Sequence, residues 1–374
     1  MKVALIHDDL IQFGGAERLL LALHEIWPEA PIYTSIASSE WLDLASKQNI
    51  KIVTSFMQKL PNAVSWHKYY APTLLYLNAF ESFDLSGYDL VVSSSSRFAH
   101  GVITKPGTKH VAICHSPNRA AWDFGTYLKN EKIGGVKRLL LSLASLSLSY
   151  IRLWDFTAYQ RLDTIFSNSV NVKNKVKRFY LRDSVIVHPF ADVLGFTSSS
   201  VEAHKSERPY YLVLSRLVSW KQIEVAIKAC EGLGVDLVVA GEGPDLSRLK
   251  SISNGSTKFL GRVSENDKIS LIKGCQAVLF PQSEDFGIVP VEAMACGKPV
   301  IAFAEGGALE TIVPGKTGLL FAEQTPESLA TTIKSFNPAS FMPQDCLQRA
   351  KEFDKTIFID RIRALIDSLY VPTN

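Results

Sequence analysis

The sequence predicts an α/β protein built from two Rossmann-like, doubly wound domains. Three observations support this fold: a length of 374 residues, short runs that are apolar throughout, and helical spacing between those runs. A chain of this length usually exceeds what one hydrophobic core supports, so two domains are expected. Continuously apolar runs are typical of parallel strands that helices cover on both faces.

The second half of the chain shows this pattern most clearly. Stretches with helical spacing, such as KQIEVAIKACEG and ENDKISLIKGC, separate its apolar runs. The strands predicted there are YYLVLSR (210–216), VDLVVAG (235–241), TKFLGRV (257–263), AVLFP (277–281) and KPVIAF (298–303). A closing turn and strand are expected in PGKTGLLF, near the end of that domain.

The first half repeats the pattern more loosely. Its predicted strands are KVALIH (2–7), YDLVVSSS (88–95), KHVAICH (109–115) and DTIFSNS (163–169). Segment 188–208 is rich in Ser and Pro and lacks strong periodicity, so it predicts the domain boundary. We therefore expect one domain over 1–190, a second over 191–355, and an amphipathic helix in 356–374 that could pack back on the first domain.

Composition and charge exclude several classes of protein. Hydrophobic residues make up 47% of the chain and charged residues 21%, which excludes extended disorder, collagen and coiled coil. A net charge of +3 gives no support for a nucleic-acid partner. Residues 1–190 carry 21 Lys+Arg against 15 Asp+Glu, and the remainder carries 19 against 22, so only the first half is basic.

Cysteine usage and apolar run length indicate a cytoplasmic protein. The five cysteines are odd in number and have neither CxxC nor zinc-ligand spacing, so reduced thiols are expected rather than disulfides or a structural metal. The N-terminal MKVALIHDDL has too short an apolar stretch for a secretory signal. The uncharged run 139–151 has 13 residues, whereas a spanning helix needs about 20.

Two motifs follow the first strand of each half. Gly14 and Gly15 open a helix whose N-terminus could offer backbone N–H groups to an anion, although a simple turn explains them equally well. Arg216 ends a strand and Lys221 precedes a helix, at the end of an open sheet where ligands bind. Two such cations suit a diphosphate leaving group, but alone they fit solvated surface charges better.

The most specific motif is PQSEDFGIVPVEAMACGKPVIAF at 281–303. Glu284 and Glu292 have seven residues between them, and Gly287 turns the chain into a helix. The first carboxylate could accept from sugar hydroxyls, and the helix N-terminus could donate to phosphate or hydroxyl oxygens. Glu292 could accept from a ribose. This combination favours a function over chance.

Three further patterns narrow the function. GGALETIVPGKTGLLF at 306–321 contains GKT but lacks the upstream glycine and the following helix of a phosphate-binding P-loop. No GxGxxG fingerprint occurs, which counts against an NAD or FAD cofactor. His115 in AICHSPNRAAWD ends a strand and could face a cleft between the domains, although a lone histidine there is more often structural.

Together these motifs resemble the retaining family-4 glycosyltransferases of the GT-B fold, in which two Rossmann-like domains face each other across a cleft. The likeness covers almost the whole chain, because GGAER, YDLVVSSSS, AICHSPNRAAWD, FSNS, SRLVSWK, GEGP, FLGRV, the glutamate pair and GGALETIVPGKTGLLF occur in the family's order. CHSPNRAAWD resembles a subgroup of bacterial mannosyltransferases of O-antigen and exopolysaccharide synthesis, where CHTPMRYAWD is typical. Ser116 and Asn118 depart from that pattern, and Ser215 replaces a frequent glycine.

The resemblance implies a role for each candidate residue. Arg216 and Lys221 would bind the donor diphosphate, and Glu284 would bind hydroxyls of the donor sugar. Glu292 would hold the ribose, and His115 would contact the sugar near its anomeric centre. The remaining donor contacts would come from the backbone at Gly14, Gly15, Phe286, Gly287 and Ile288.

The resemblance also implies a retaining hexosyltransferase that needs neither a metal nor a cofactor. No carboxylate is placed as a nucleophile, so a front-side displacement that relies on positioning and charge stabilisation is expected. The favoured donor is GDP-mannose, and the acceptor is a glycan or a lipid-linked intermediate of polysaccharide or lipopolysaccharide synthesis. UDP-sugar transfer and a non-catalytic sugar-nucleotide-binding protein stay open; sugar 2-epimerases, phosphorylases and NAD-dependent dehydrogenases rank lower.

Basic clusters suggest peripheral contact with the inner face of the cell membrane. Docking on anionic lipid would bring the first domain to a lipid-linked acceptor. A buried core helix explains the run 139–151 slightly better than membrane contact. The clusters are Lys129, Lys132, Lys137 and Arg138, and Lys173, Lys175, Lys177 and Arg178.

Overall fold

The chain divides into two units, Met1–His188 with Ile359–Asn374, and Pro189–Phe358. The computed structural model describes residues 1–70, 73–123 and 135–370, without the side chains of residue 68 and residues 135–146. The division falls at the edge of segment 188–208, where the composition changes.

The first unit contains a parallel sheet of seven strands in the order β3-β2-β1-β4-β5-β6-β7. The strand order reverses between β1 and β4, which is the topological switch point of an open α/β sheet. The four predicted strands are β1, β4, β5 and β6, whereas β2, β3 and β7 were not predicted. The bounds are β1 (Val3–His7), β2 (Ile32–Thr34), β3 (Ile52–Thr54), β4 (Leu90–Ser95), β5 (Lys109–Cys114), β6 (Thr164–Ser167) and β7 (Val185–Ile186).

Helices connect these strands, as parallel pairing requires. They are α1 (Gly15–Ile26), α2 (Ser39–Lys47), α3 (His67–Tyr70), α4 (Leu75–Glu81), α5 (Arg119–Trp122), α6 (Gly135–Gln160) and α7 (Val170–Tyr180). Short 3-10 helices add Phe56–Lys59 and Ala99–Gly101.

The second unit contains a parallel sheet of six strands in the order β10-β9-β8-β11-β12-β13, with its switch point between β8 and β11. All five predicted strands form, and β13 is the closing strand expected in GKTGLLF. The bounds are β8 (Tyr210–Leu214), β9 (Asp236–Ala240), β10 (Thr257–Gly261), β11 (Val278–Phe280), β12 (Val300–Phe303) and β13 (Gly318–Phe321).

The helices of the second unit lie between and after its strands. They are α8 (Val193–Thr197), α9 (Ile223–Leu233), α10 (Leu246–Ile252), α11 (Glu265–Gly274), α12 (Ile288–Ala295), α13 (Ala308–Thr311), α14 (Pro326–Ser335) and α15 (Pro343–Lys351). Helix α8 lies within 188–208, where the sequence analysis expected irregular chain. Its five residues are too few to give a detectable helical period.

Both faces of the second sheet are buried. In β8, Tyr210 and Leu212 belong to one hydrophobic cluster, whereas Tyr211 and Val213 belong to another. Successive strand side chains point to opposite faces, so the two clusters lie on the two sides of the sheet. This arrangement explains why the strands are apolar throughout, and it confirms the predicted class of two Rossmann-like, doubly wound domains.

The predicted C-terminal helix is α16 (Lys355–Ser368). Ile362 and Ile366 on it are buried. After the helix, the Tyr370 hydroxyl donates to the backbone oxygen of Asp89 at 3.2 Å, a contact within the first unit.

Helix α6 contains the apolar run of the membrane-docking hypothesis. Leu148 and Ile151 are buried, whereas Tyr150 is exposed. Lys129 and Lys132 lie outside the described residues, as do the side chains of 135–146, so docking stays a prediction. In the described part of the chain, no helix has both the length and the apolar character that crossing a membrane requires.

The cysteines carry free thiols, as the sequence predicts. Four are buried and Cys296 is half-buried. Burial raises the pKa of Cys230 and of Cys275 to about 12, so neither thiol ionises near neutral pH.

Candidate functional site

The candidate residues of the second unit converge on its switch point. Arg216 and Lys221 follow β8, and Glu284 follows β11, the strand that pairs with β8. The carboxyl ends of these two strands therefore bring the three side chains to one edge of the sheet. Arg216 is exposed there, and Lys221 ends a 3-10 turn, Ser219–Lys221.

Lys221 and Glu284 form an ion pair between Nζ and Oε1. Their side chains are 12% and 21% exposed, so the pair is partly shielded from water yet reachable. Gln282 Nε2 donates to the same Oε1 at 3.0 Å. The Lys221 ammonium also lies 4.3 Å from the centre of the Trp220 ring, a cation–π distance. The carboxylate and the ammonium are thus both fixed in position.

Glycines on a neighbouring loop support the segment after β8. A Cβ atom on Gly241 would lie 1.8 Å from the backbone oxygen of Ser215, and one on Gly243 would lie 2.1 Å from that of Leu217. Leu217 N donates to the Glu242 oxygen at 2.8 Å. Only residues without a side chain allow this approach, which explains the GEGP sequence.

A second glycine pair supports the segment after β11. A Cβ atom on Gly306 would lie 2.2 Å from the backbone oxygen of Glu284, and one on Gly307 would lie 2.0 Å from that of Phe286. Gly307 N also donates to the Glu284 oxygen at 2.9 Å. The two motifs that the sequence analysis treated separately therefore form one structure.

Gly287 precedes α12 with a φ of +83°, a conformation that favours glycine. The Phe286 side chain is buried and meets the Phe353 ring edge-on at 5.5 Å. Only the backbone of Phe286 can therefore face a ligand, as the prediction requires. Glu292 lies on α12, is 4% exposed, and accepts from Lys268 Nζ at 2.9 Å.

The first unit holds Gly14, Gly15 and His115 at its own switch point. Gly14 precedes α1, and its N–H donates to Glu17 Oε2 at 2.8 Å. His115 follows β5 and is half-buried; its Nε2 lies 2.8 Å from Ser94 Oγ. Burial, reinforced by the nearby His7, lowers the pKa of His115 to about 4. The imidazole is therefore neutral at physiological pH.

Asp8 holds the loop that follows β4. Its carboxylate accepts from four backbone N–H groups, at 2.6 to 3.0 Å, which belong to residues 96–99. Burial alone would raise the pKa of this carboxyl, but Arg97, His7 and the backbone donors outweigh burial and hold the pKa below its usual value. Asp8 is therefore an ionised structural group.

Asn118, a departure from the subgroup pattern, has a local structural role. Its Oδ1 accepts from Ala121 N at 3.3 Å and caps α5, while its Nδ2 donates to the Arg97 oxygen at 3.3 Å. Ser116, the other departure, accepts from Arg119 Nε at 3.4 Å.

Sequence reasoning missed five residues that position the candidates. The structure adds Gln282 and Lys268 in the second unit, and His7, Asp8 and Ser94 in the first. Only the HDD sequence at the end of β1 carried a signal, since polar residues at a strand end can mark a site. Among the residues described, no group of three or more His, Cys, Asp and Glu side chains could hold a metal ion.

Comparison with known proteins shows what the second unit is similar to. Residues 196–353 match the family model "Glycosyl transferases group 1". These residues are therefore similar to the group 1 glycosyltransferases. The Lys221–Glu284 pair, the glycine supports and α12 all lie within the matched residues.

Relatives extend the likeness beyond that domain. The uncharacterized glycosyltransferase MJ1178 of Methanocaldococcus jannaschii is 25% identical over 198 residues, which are 52% of this chain and 55% of that protein. The chain thus spans about half the length of the first curated relatives it matches. The alpha-1,3/1,6-mannosyltransferase ALG2 of Kluyveromyces lactis is 25% identical over 379 residues, 83% of this chain and 71% of that protein.

A solved structure shows the same fold over nearly the whole chain. Anabaena Alr3699/HepE in complex with UDP superposes with a TM-score of 0.71, at 18% identity, over 98% of this chain and 100% of the other. The GT-B fold class that the motifs predict is therefore confirmed.

Proposed function

We propose that this protein is a retaining, metal-independent glycosyltransferase that moves a hexose from a nucleotide-sugar donor to a glycan or lipid-linked acceptor. One observation carries the proposal: Lys221 and Glu284 meet as an ion pair at the switch point of a group 1 glycosyltransferase domain, close in sequence to the exposed Arg216. A paired cation and carboxylate at that edge suit a ligand with both phosphates and hydroxyls.

Each of these residues binds a different part of the donor. Arg216 and Lys221 bind the diphosphate and stabilise the charge that develops as it leaves. Glu284 accepts from hydroxyls of the sugar. Lys221 and Gln282 both donate to its Oε1, and among the described residues no group donates to its Oε2. Glu292, which Lys268 holds in place, accepts from the ribose. The backbone at Phe286, Gly287 and Ile288 donates to phosphate or sugar oxygens.

The reaction proceeds by front-side displacement. The sugar–phosphate bond breaks as the acceptor hydroxyl approaches the same face, and the leaving diphosphate takes the hydroxyl proton. Catalysis then relies on positioning and on the two cations, without a protein nucleophile. His115 contributes a neutral contact to the sugar, and Gly14 and Gly15 let the first-unit loop approach the donor.

Mannose with GDP is the proposed donor. The ALG2 relative, a mannosyltransferase, supports the sugar. A UDP-sugar is the second candidate, because the structurally similar Alr3699/HepE was solved with UDP and with UDP-glucose. The proposed setting is bacterial polysaccharide or lipopolysaccharide synthesis, with the first unit docked on an anionic membrane surface.

Calorimetric titration with GDP, UDP, ADP and their sugar conjugates, in buffer containing EDTA, tests the donor. We expect saturable binding of one nucleotide series. Lys221→Ala should lower kcat/KM for that donor by about 10²–10³-fold, because it removes a charge aimed at the diphosphate. Proton NMR of the product should show the same anomeric configuration as in the donor.

Lys228→Ala is the matched control, because Lys228 is an exposed cation on the adjacent helix α9. It should bind and turn over the donor as the wild type does. Absence of binding to every nucleotide would refute the proposed function. Binding that appears only after a divalent metal is added would refute metal independence, and an inverted anomer would refute retention.

A further inference from the structure

Four polar side chains of the first unit lie in a row from α1 to the end of β5, with Glu17 at ion-pair distance from His7 and the other neighbours within hydrogen-bonding distance. Glu17 Oε1 lies 3.8 Å from His7 Nε2. His7 Nδ1 lies 3.1 Å from Ser94 Oγ, which lies 2.8 Å from His115 Nε2. Strand register builds this chain, since His7 and Ser94 are direct neighbours in the β1–β4 pairing. His7, Glu17 and Ser94 are buried, and the proposed reaction uses none of them.

The number of protons on this chain is restricted. A serine hydroxyl has one proton, so Ser94 can donate to only one of its two histidine partners. The other histidine has to donate to Ser94. His115 is neutral because burial lowers its pKa to about 4, so one of its ring nitrogens carries a proton and the other a lone pair.

The Glu17 carboxylate determines in which direction the hydrogen bonds between these side chains are donated. Burial would raise the pKa of Glu17, but His7 and the Gly14 N–H outweigh burial and keep it below its usual value. An ionised carboxylate only accepts hydrogen bonds, so it favours the His7 proton on Nε2. When His7 carries only this proton, its Nδ1 accepts from the Ser94 hydroxyl, and Ser94 in turn accepts from His115 Nε2–H.

We propose that Glu17, His7 and Ser94 form a relay that holds His115 as the Nε2–H tautomer, so that its Nδ1 accepts a hydrogen bond from a hydroxyl of the donor sugar. Among the described residues, Nδ1 of His115 has no hydrogen-bond partner. An Nδ1 lone pair fits a hydroxyl donor and rejects diphosphate oxygens, which carry only lone pairs at neutral pH. The relay residues position His115 and do not touch the substrate; this assignment rests on the proposed function.

The charged and titratable groups near His115 act in opposite directions on its pKa. Asp8 and Glu17 face His115 and raise its pKa, whereas His7 and burial lower it, and the lowering dominates. A second proton on His7 would reverse the chain, because Nδ1–H would then donate to Ser94. The tautomer of His115 therefore reports the protonation of His7 as well.

Glu17→Gln tests the relay without a loss of shape. The Gly14 N–H needs an oxygen acceptor, so the oxygen of the new amide should take that place and turn its NH₂ group toward His7 Nε2. His7 would then carry its proton on Nδ1, and His115 should change to the Nδ1–H tautomer. Long-range 1H–15N correlation spectra of the full chain, labelled with 15N-histidine at pH 7, distinguish the tautomers. Assignment uses His115→Gln.

Two controls isolate the effect. Glu25→Gln changes an exposed carboxylate on the same helix and should leave the His115 signals unchanged. In a Ser94→Ala background the relay is cut, so adding Glu17→Gln should not alter His115 further. The relay is refuted if wild-type His115 is the Nδ1–H tautomer, or if Glu17→Gln leaves the wild-type tautomer in place.

Kinetics give an independent readout once a donor is known. Glu17→Gln should lower kcat/KM by about tenfold, mostly through kcat, which is the size expected from one misdirected hydrogen bond. If His115 is the Nε2–H tautomer but the protein binds no nucleotide, the proposed function and the contact of His115 with a sugar hydroxyl are refuted, whereas the relay is not. Nucleotide binding with the opposite tautomer would refute the relay alone.

Discussion

The two switch points share a strand topology but differ in what holds their loops. In the first unit, the buried carboxylate of Asp8 accepts from the backbone of residues 96–99. In the second unit, the glycine pairs 241/243 and 306/307 pack directly against backbone oxygens of the site loops. Side chains stabilise the loops in one case and backbone contact does so in the other.

This difference affects what each site can bind. In the first unit, Asp8 and Asp9 are buried, with Asp9 paired to Arg97 and Asp8 bonded to the backbone, so neither charge faces a ligand. In the second unit, the backbone supports the loops, which leaves Lys221 and Glu284 partly exposed. We therefore expect a charged ligand at the second switch point, whereas the first offers the neutral His115.

Gly307→Ala should break the glycine support of the second unit. A Cβ atom would lie 2.0 Å from the Phe286 oxygen and 2.3 Å from its Cα, so the Glu284–Gly287 segment has to move. We expect a loss of about 3 kcal/mol in the free energy of unfolding, the upper range for overpacking, and weaker nucleotide-sugar binding. Denaturant titration and calorimetric binding measure the two effects.

Gly232→Ala is the contrasting variant in the same unit. Gly232 lies in α9, and a Cβ atom there would meet nothing within 4 Å. Alanine should stabilise the helix by up to about 1 kcal/mol and leave binding unchanged. Equal destabilisation by both variants would contradict the support that we assign to Gly307.

Asp8→Asn should break the carboxylate support of the first unit. The amide replaces one acceptor oxygen by a donor that faces backbone N–H groups, so buried donors lose their partner. We expect a loss of about 2 kcal/mol in the free energy of unfolding at neutral pH. Asp43→Asn, at an exposed position on α2, should cost little.

The pH dependence of stability tests whether Asp8 stabilises the fold as an ionised carboxylate. The folded pKa of Asp8 lies below the ordinary value of 3.8, so the unfolded chain takes up the proton first as pH falls. The stabilisation is fully present above that ordinary value and is lost as pH falls through the folded pKa. The stability gap between wild type and Asp8→Asn should therefore narrow below about pH 4; a constant gap would contradict an ionised Asp8.

Many of the strands and the second switch point could be predicted from the sequence, whereas the first switch point could not, and the reasons are physical. Strands such as β8 are buried on both faces and read as apolar runs, whereas β2 and β3 have three residues each and give no period. Lys221 and Glu284 each follow a predicted strand, so their meeting needs only that those strands be neighbours. The His7–Ser94 contact needs strand order and register together, which local sequence does not contain.

Gln282→Leu separates stability from binding at the second switch point. The Gln282 side chain is 1% exposed, and its Nε2 donates to Glu284, while its buried Oε1 has no hydrogen-bond partner among the residues that the structure describes. Leucine removes the unpaired oxygen, so the free energy of unfolding should rise by about 1 kcal/mol. Glu284 loses one of two donors, so the affinity for the nucleotide sugar should fall by a few-fold.

Gln324→Leu is the matched control, and we expect it to change stability and donor affinity differently from Gln282→Leu. Gln324 Nε2 donates to the Pro281 oxygen at 2.9 Å, next to Gln282 in sequence, and this bond does not involve Glu284. Its loss should lower stability by about 1 kcal/mol and leave donor affinity unchanged. Opposite signs of the stability change, with only Gln282→Leu weakening binding, would establish that Gln282 is kept for the orientation of Glu284 at a cost in stability. Loss of stability in Gln282→Leu would show instead that its amide belongs to the core.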